Sequence, residues 1–120
     1  MKKANKQHVL SYIKEQYGVM PEYLWHKFPD YAVFRHSNNR KWFAAVMNVP
    51  AAKLGLSGED IKEIINLKCN PLLIGSLRGS EGFLPAYHMN KENWISVLLD
   101  GTVADEEICR LIDMSYELTC

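Results

Sequence analysis

Cysteine is scarce in this chain: Cys69, Cys109 and Cys120 make an odd number with no C-x-x-C pair. That excludes a disulfide framework and a structural zinc site and predicts a reducing, cytosolic setting. No apolar run approaches the roughly 20 residues that span a bilayer. The opening Met1-Lys2-Lys3-Ala4-Asn5-Lys6-Gln7-His8 is basic but lacks the apolar core of a signal peptide. Neither export nor membrane insertion is expected, and the chain reads as cytoplasmic. Net charge is also missing, since 14 Lys/Arg balance 14 Asp/Glu.

Several signatures of chemistry are absent as well. There is no G-x-S-x-G turn for a nucleophilic serine, and Gly79-Ser80-Glu81-Gly82 lacks the lysine and the strand-to-helix setting of a phosphate loop. His8, His26, His36 and His88 are scattered, without the H-x-x-x-H spacing that puts two metal ligands on one face. Asp105-Glu106-Glu107 is the one acidic run, and it sits where a helix start explains it. No cofactor, metal or catalytic residue is therefore expected. A Cys69/His88 pair would require the fold to bring the two together, and a small core residue is the commoner role for such a cysteine.

What is present is a domain-sized, patterned chain. At 120 residues it is expected to be one domain over 1–120, burying roughly two thirds of its unfolded surface. Val9, Leu10, Ile13 and Tyr17 recur at helical spacing before Gly18 and Pro21, which predicts a helix over 4–17. Strands are expected at Tyr23–Phe28, Ala32–His36 and Lys41–Val49, the last two forming a hairpin around Ser37-Asn38-Asn39-Arg40. In that hairpin Val33 and Phe34 fall on opposite faces, and Trp42, Ala44 and Val46 share one. Residues 61–69 fit either periodicity. A strand over 62–68 is favoured because Asn70-Pro71 supplies a stop and then a capped helix start for 71–78, with Gly79 at its exit. A strand follows Trp94, and a last helix runs to Leu118, with Thr102 and Asp105 as a capping-box-like start and Ile108, Leu111, Ile112, Ser115 and Leu118 as its buried stripe. Helices and antiparallel strands in this order argue an α+β layer.

The charge is unevenly spread. Residues 1–53 hold nine Lys/Arg against three Asp/Glu, and residues 54–120 hold five against eleven. A neutral total thus allows one electropositive face, unless the two halves mix in space.

Tyr87-His88-Met89-Asn90-Lys91-Glu92-Asn93-Trp94, running into Ile95–Leu99 and Asp100-Gly101, packs polar groups between a loop and a strand ahead of a helix ending Ser115-Tyr116-Glu117-Leu118. With Lys41-Trp42-Phe43-Ala44, Gly55-Leu56 and Leu67-Lys68-Cys69-Asn70-Pro71 upstream, the chain resembles the YjbR/MmcQ family over nearly its whole length. The resemblance implies a CyaY (frataxin)-like fold, a twisted antiparallel sheet with the N- and C-terminal helices on one face. It also implies DNA binding, because members are usually named DNA-binding proteins with hairpins described as wings. On this chain the wing would be Arg35, Arg40 and Lys41, with Lys2, Lys3 and Lys6 as a basic arm, and double-stranded DNA would be held weakly through phosphate contacts. A monomer is expected. Many members carry histidine directly before the tryptophan where this chain has Asn93, an amide that cannot titrate.

A second reading places a small-anion pocket at Lys68, Tyr87, His88, Lys91, Trp94 and Tyr116, where lysine beside aromatic rings would hold a carboxylate or phosphate. The competing structural reading has Trp94 and Tyr116 filling the space between sheet and last helix. A purely structural or protein-binding domain is the third alternative.

Overall fold

The computed structural model describes residues 5–120, so the expected roles of Lys2 and Lys3 lie outside the described residues. Helix α1 (Lys6–Tyr17) begins where the Asn5 side chain accepts the His8 N–H at 3.0 Å. It ends at Gly18, whose φ of 67° lets its N–H return to the Lys14 carbonyl at 2.9 Å. Val9 and Ile13, one turn apart, are buried against the sheet.

Five strands follow: β1 (Ala32–Arg35), β2 (Trp42–Pro50), β3 (Ile61–Lys68), β4 (Phe83–Pro85) and β5 (Trp94–Leu98). Helix α2 (Pro71–Leu77) lies between β3 and β4, and α3 (Asp105–Leu118) closes the chain. The strands form one antiparallel sheet in the order β1-β2-β3-β5-β4. Val9, Ile13, Ile108 and Ile112 from the terminal helices share a core with Phe34, Phe43, Ile65, Leu67 and Ile95, each contributing about 1.5–3 kcal/mol by burial. The expected α+β class, with both terminal helices on one sheet face, is the observed one. Ser115 locks α3 to the sheet by donating to the Phe43 carbonyl at 2.5 Å and accepting the Lys68 N–H at 2.9 Å.

Among the described residues the opposite face carries no α-helix, only the one-turn 3-10 helix Ala51–Leu54 that follows β2. Tyr31, Val33, Ala45, Met47, Val49, Ile64 and Leu98 are buried there, covered by Leu54 of that turn and by side chains from loops, Trp25, Leu56 and Tyr87 among them. Two sequence expectations fail on this face. Tyr23–Phe28 forms no strand: Glu22 makes a single bridge with Val33, and then Phe28 N–H closes on the Trp25 carbonyl and Tyr31 N–H on the Phe28 carbonyl. Pro21 and Pro29 flank the run, and Trp25 packs on the sheet while Tyr23 and Phe28 stay about half exposed. Trp42 does not share a face with Ala44 and Val46. The register runs Phe34↔Ala44 and then Arg35↔Trp42, leaving Phe43 as the extra residue of a bulge, so Phe43 joins the helix-side core while Trp42 turns to the other face.

Two smaller differences concern α3. Its first residue is Asp105 and its cap Ala104 makes no side-chain bond; Thr102 instead gives its N–H to Asp100 Oδ1 at 2.9 Å, a local turn that replaces the expected capping box. Ile108, Leu111, Ile112 and Ser115 are buried as expected, but Leu118 is 46% exposed, lining an open cleft with Leu72, Leu73 and Met114 between α2 and α3. The start of α2 follows the sequence: the Asn70 side chain accepts the Leu72 N–H at 2.9 Å, with Pro71 in the first turn.

Candidate ligand cleft opposite the α-helices

The bulge at Phe43 and the turns before β1 build an aromatic cleft. Trp42 meets Trp25 edge to face at 5.7 Å, Trp25 meets Tyr31 at 5.8 Å, and Phe28 stacks on Tyr31 at 4.7 Å. Met47, His88 and Met89 complete a cavity of about 340 Å³. Burial, and secondarily the nearby Tyr87, raises the Tyr31 phenol above its ordinary pKa, so it stays a neutral hydroxyl at physiological pH. A second cavity of about 380 Å³ is lined by Lys53, Leu54, Pro85, Ala86, Tyr87, His88 and Lys91. Both include His88, so an apolar aromatic compartment opens beside a cationic one. Each falls in the size range of small-molecule sites.

The shared wall is held from below. Asn66 and Ser96, fully buried cross-strand partners on β3 and β5, form a polar pair in which the Ser96 hydroxyl donates to Asn66 Oδ1. Asn66 Nδ2 then donates to the Tyr87 carbonyl at 3.0 Å, and the Tyr87 N–H donates to Ser96 Oγ at 2.9 Å. Both backbone groups of Tyr87 are thus satisfied by buried side chains, and a buried pair left half-bonded costs far more than a surface one. His88 follows at φ 58°, a left-handed conformation that a non-glycine residue rarely takes. Its ring lies 4.0 Å from that of Tyr87.

A family model described as YjbR matches residues 14–118. The chain belongs to the YjbR family. The Bacillus subtilis (strain 168) protein YyaQ, itself uncharacterized, is 46% identical over 114 residues, covering 95% of this chain and 97% of the relative. The uncharacterized Escherichia coli (strain K12) protein YjbR is 31% identical over 83 residues, 68% of this chain and 70% of that one. A crystal structure of a Pseudomonas syringae protein superposes with a TM-score of 0.95 at 50% identity, covering 97% of this chain and 99% of that chain. A Deinococcus radiodurans protein shares the fold alone, with a TM-score of 0.73 at 22% identity, over 97% of this chain and 78% of that chain.

In this YjbR-family chain the residues expected to form a pocket divide. Tyr87, His88 and Lys91 come together in the cationic compartment. Lys68 and Trp94 pair across β3 and β5, outside the lining of both compartments. Tyr116 is on the helix side of the sheet, stacked on Tyr17 at 3.8 Å and edge-on to Phe43 at 4.9 Å, so a site containing both Tyr116 and His88 is not formed. Cys69 belongs to the helix-side core, apart from His88, and burial raises its thiol pKa. Burial, then Asp105 and Asp113, pushes Cys109 up to about 11, which keeps it a thiol. Among the described residues no group of three or more His, Cys, Asp and Glu side chains gathers as metal ligands.

The expected wing is constrained. Arg35 Nε lies 3.2 Å from Glu22 Oε2 in an ion pair whose N–H is not aimed at the carboxylate, and Arg40 reaches Glu22 Oε1 at 3.4 Å. One carboxylate therefore offsets part of the charge of both arginines. Lys41 is exposed. Lys6 donates to the Asp30 carbonyl at 3.3 Å. The turn itself is tied to the end of α3, with His36 Nε2 2.7 Å from Thr119 Oγ1 and Asn39 Nδ2 donating to the Thr119 carbonyl at 2.9 Å.

Sequence reading passed over Trp25, Phe28, Tyr31, Trp42, Met47, Lys53 and Met89. The aromatic density of residues 23–31 was the available signal, hidden by its assignment to a strand.

Proposed function

We propose that this protein is a non-catalytic binding module that takes a small anion with a planar apolar part on the face of the sheet opposite the α-helices. The observation that carries this reading is the pair of adjoining compartments, one aromatic and one bearing Lys53 and Lys91, joined at His88. A ring would lie among Trp25, Tyr31 and Trp42, where stacking and burial favour it, and its anionic group would meet the two ammonium groups. The raised thiol pKa values of Cys69 and Cys109 favour binding over nucleophilic chemistry.

The test is calorimetric titration with 1-naphthyl phosphate, naphthalene and inorganic phosphate. Saturable binding of the naphthyl phosphate, tighter than either fragment and weakened about tenfold by Lys91→Gln, supports the module. Equal and weak response to all three removes it.

The exposed Lys41 and the basic surplus of residues 1–53 favour a second reading, weak binding of double-stranded DNA through Arg35, Arg40 and Lys41, with Lys6 and the N-terminal lysines assisting. Displacement of condensed counterions would drive it. The sharing of Glu22 by both arginines makes this the weaker of the two readings.

A further inference from the structure

Resting on the cleft reading above, we infer that its ligand is a nucleoside 5′-monophosphate unit. The base would lie among Trp25, Tyr31 and Trp42, the sugar beside Tyr87 and His88, and the phosphate between Lys53 and Lys91. The lining changes character in that order. The first compartment is walled by aromatic faces and edges, with Met47 as an apolar neighbour. The residue common to both compartments is His88, whose imidazole bonds a polar spacer and leaves an alkyl one unmatched, and Tyr87 beside it lines the cationic side. Beyond it two exposed lysines line one cavity of about 380 Å³.

Two ammonium groups match the near-dianionic charge of a phosphate monoester at neutral pH better than the single charge of a carboxylate. Planar ring, hydroxylated spacer and dianion in sequence describe a mononucleotide. The same unit occurs free in solution and at the 5′-phosphorylated end of a single strand. Within a duplex the base faces are buried in the stack and cannot enter such a cleft.

The experiment is an NMR titration of the intact protein with AMP, adenosine, ribose 5-phosphate and a 5′-phosphorylated single-stranded hexanucleotide, with 1-naphthyl phosphate as the reference ligand. AMP is expected to bind at least tenfold more tightly than adenosine or ribose 5-phosphate. In the Lys53→Gln/Lys91→Gln double variant, whose changes lie at exposed positions, the preference of AMP over adenosine should disappear while the spectrum stays folded. Tighter binding of the hexanucleotide than of AMP assigns the source to a strand end, and the reverse assigns it to the free nucleotide; either supports the shared chemistry. If 1-naphthyl phosphate binds and AMP does not, the nucleotide inference is overturned and the cleft reading stands. If neither binds, both fall.

Discussion

His88 holds a left-handed backbone at φ 58° on the wall shared by the two compartments, and strain of this kind persists where the surroundings over-determine it. Replacing it by glycine relieves a cost of about 1–2 kcal/mol but adds unfolded-chain freedom of about 0.5–1 kcal/mol. His88→Gly is therefore expected to unfold in urea within about 1 kcal/mol of the parent while losing most affinity for 1-naphthyl phosphate. Ser96→Ala should behave differently. It strands Asn66 Oδ1 and the Tyr87 N–H, so stability should drop by about 1–3 kcal/mol and the Tyr87 amide should exchange faster with solvent. His36 supplies a pH-dependent contribution. Burial lowers its folded pKa below the unfolded value near 6.5, so between those two values the unfolded chain binds more protons and stability falls as pH falls. Denaturation midpoints at pH 7.5 and pH 5 should separate less in His36→Gln than in the parent. At this scale the sequence exposed Tyr87, His88 and Lys91, which lie within five residues of chain, and misplaced Tyr116, whose position depends on which sheet face its helix covers.

Among the elements, legibility followed local rules. The end of α1 and the start of α2 could be read from Gly18, Asn70 and Pro71, because each acts on hydrogen bonds within one turn, whereas the Asn5 cap at the start of α1 was not read. The strand β4, three residues long, carries too short a pattern to read. The bulge at Phe43 is set by register with β1 rather than by anything local, and it decides which face Trp42 occupies. The loop before β1 holds an aromatic run that pattern alone assigns to a strand. Such tertiary choices built the aromatic compartment, which is why half of the site escaped sequence reading. The uncapped start of α3 gives an element-scale prediction: Ala104→Ser should supply the missing side-chain acceptor and raise stability by about 1 kcal/mol, measured as a higher urea midpoint at unchanged m.

For the molecule as a whole, the sheet separates two surfaces of different build. The helix side holds the larger apolar core, built from all three α-helices and the sheet, whereas the other face leaves space beside aromatic and cationic side chains. The strand order β1-β2-β3-β5-β4 rests on pairing between distant segments, which local periodicity does not carry. The same separation distinguishes the two binding readings. Duplex binding through the hairpin predicts an affinity that falls steeply with salt and is lost in the Arg35→Ala/Arg40→Ala/Lys41→Ala variant, whereas occupancy of the cleft should survive that variant. Fluorescence anisotropy of labelled duplex at several salt concentrations checks the former.

The central claim, that the face opposite the α-helices holds a ligand site, is tested most directly by the three tryptophan indole N–H resonances during titration with 1-naphthyl phosphate. Trp25 and Trp42 line the aromatic compartment and Trp94 does not, so the first two signals should shift saturably while the third stays in place. Stationary signals from Trp25 and Trp42, or a shift confined to Trp94, would contradict the account.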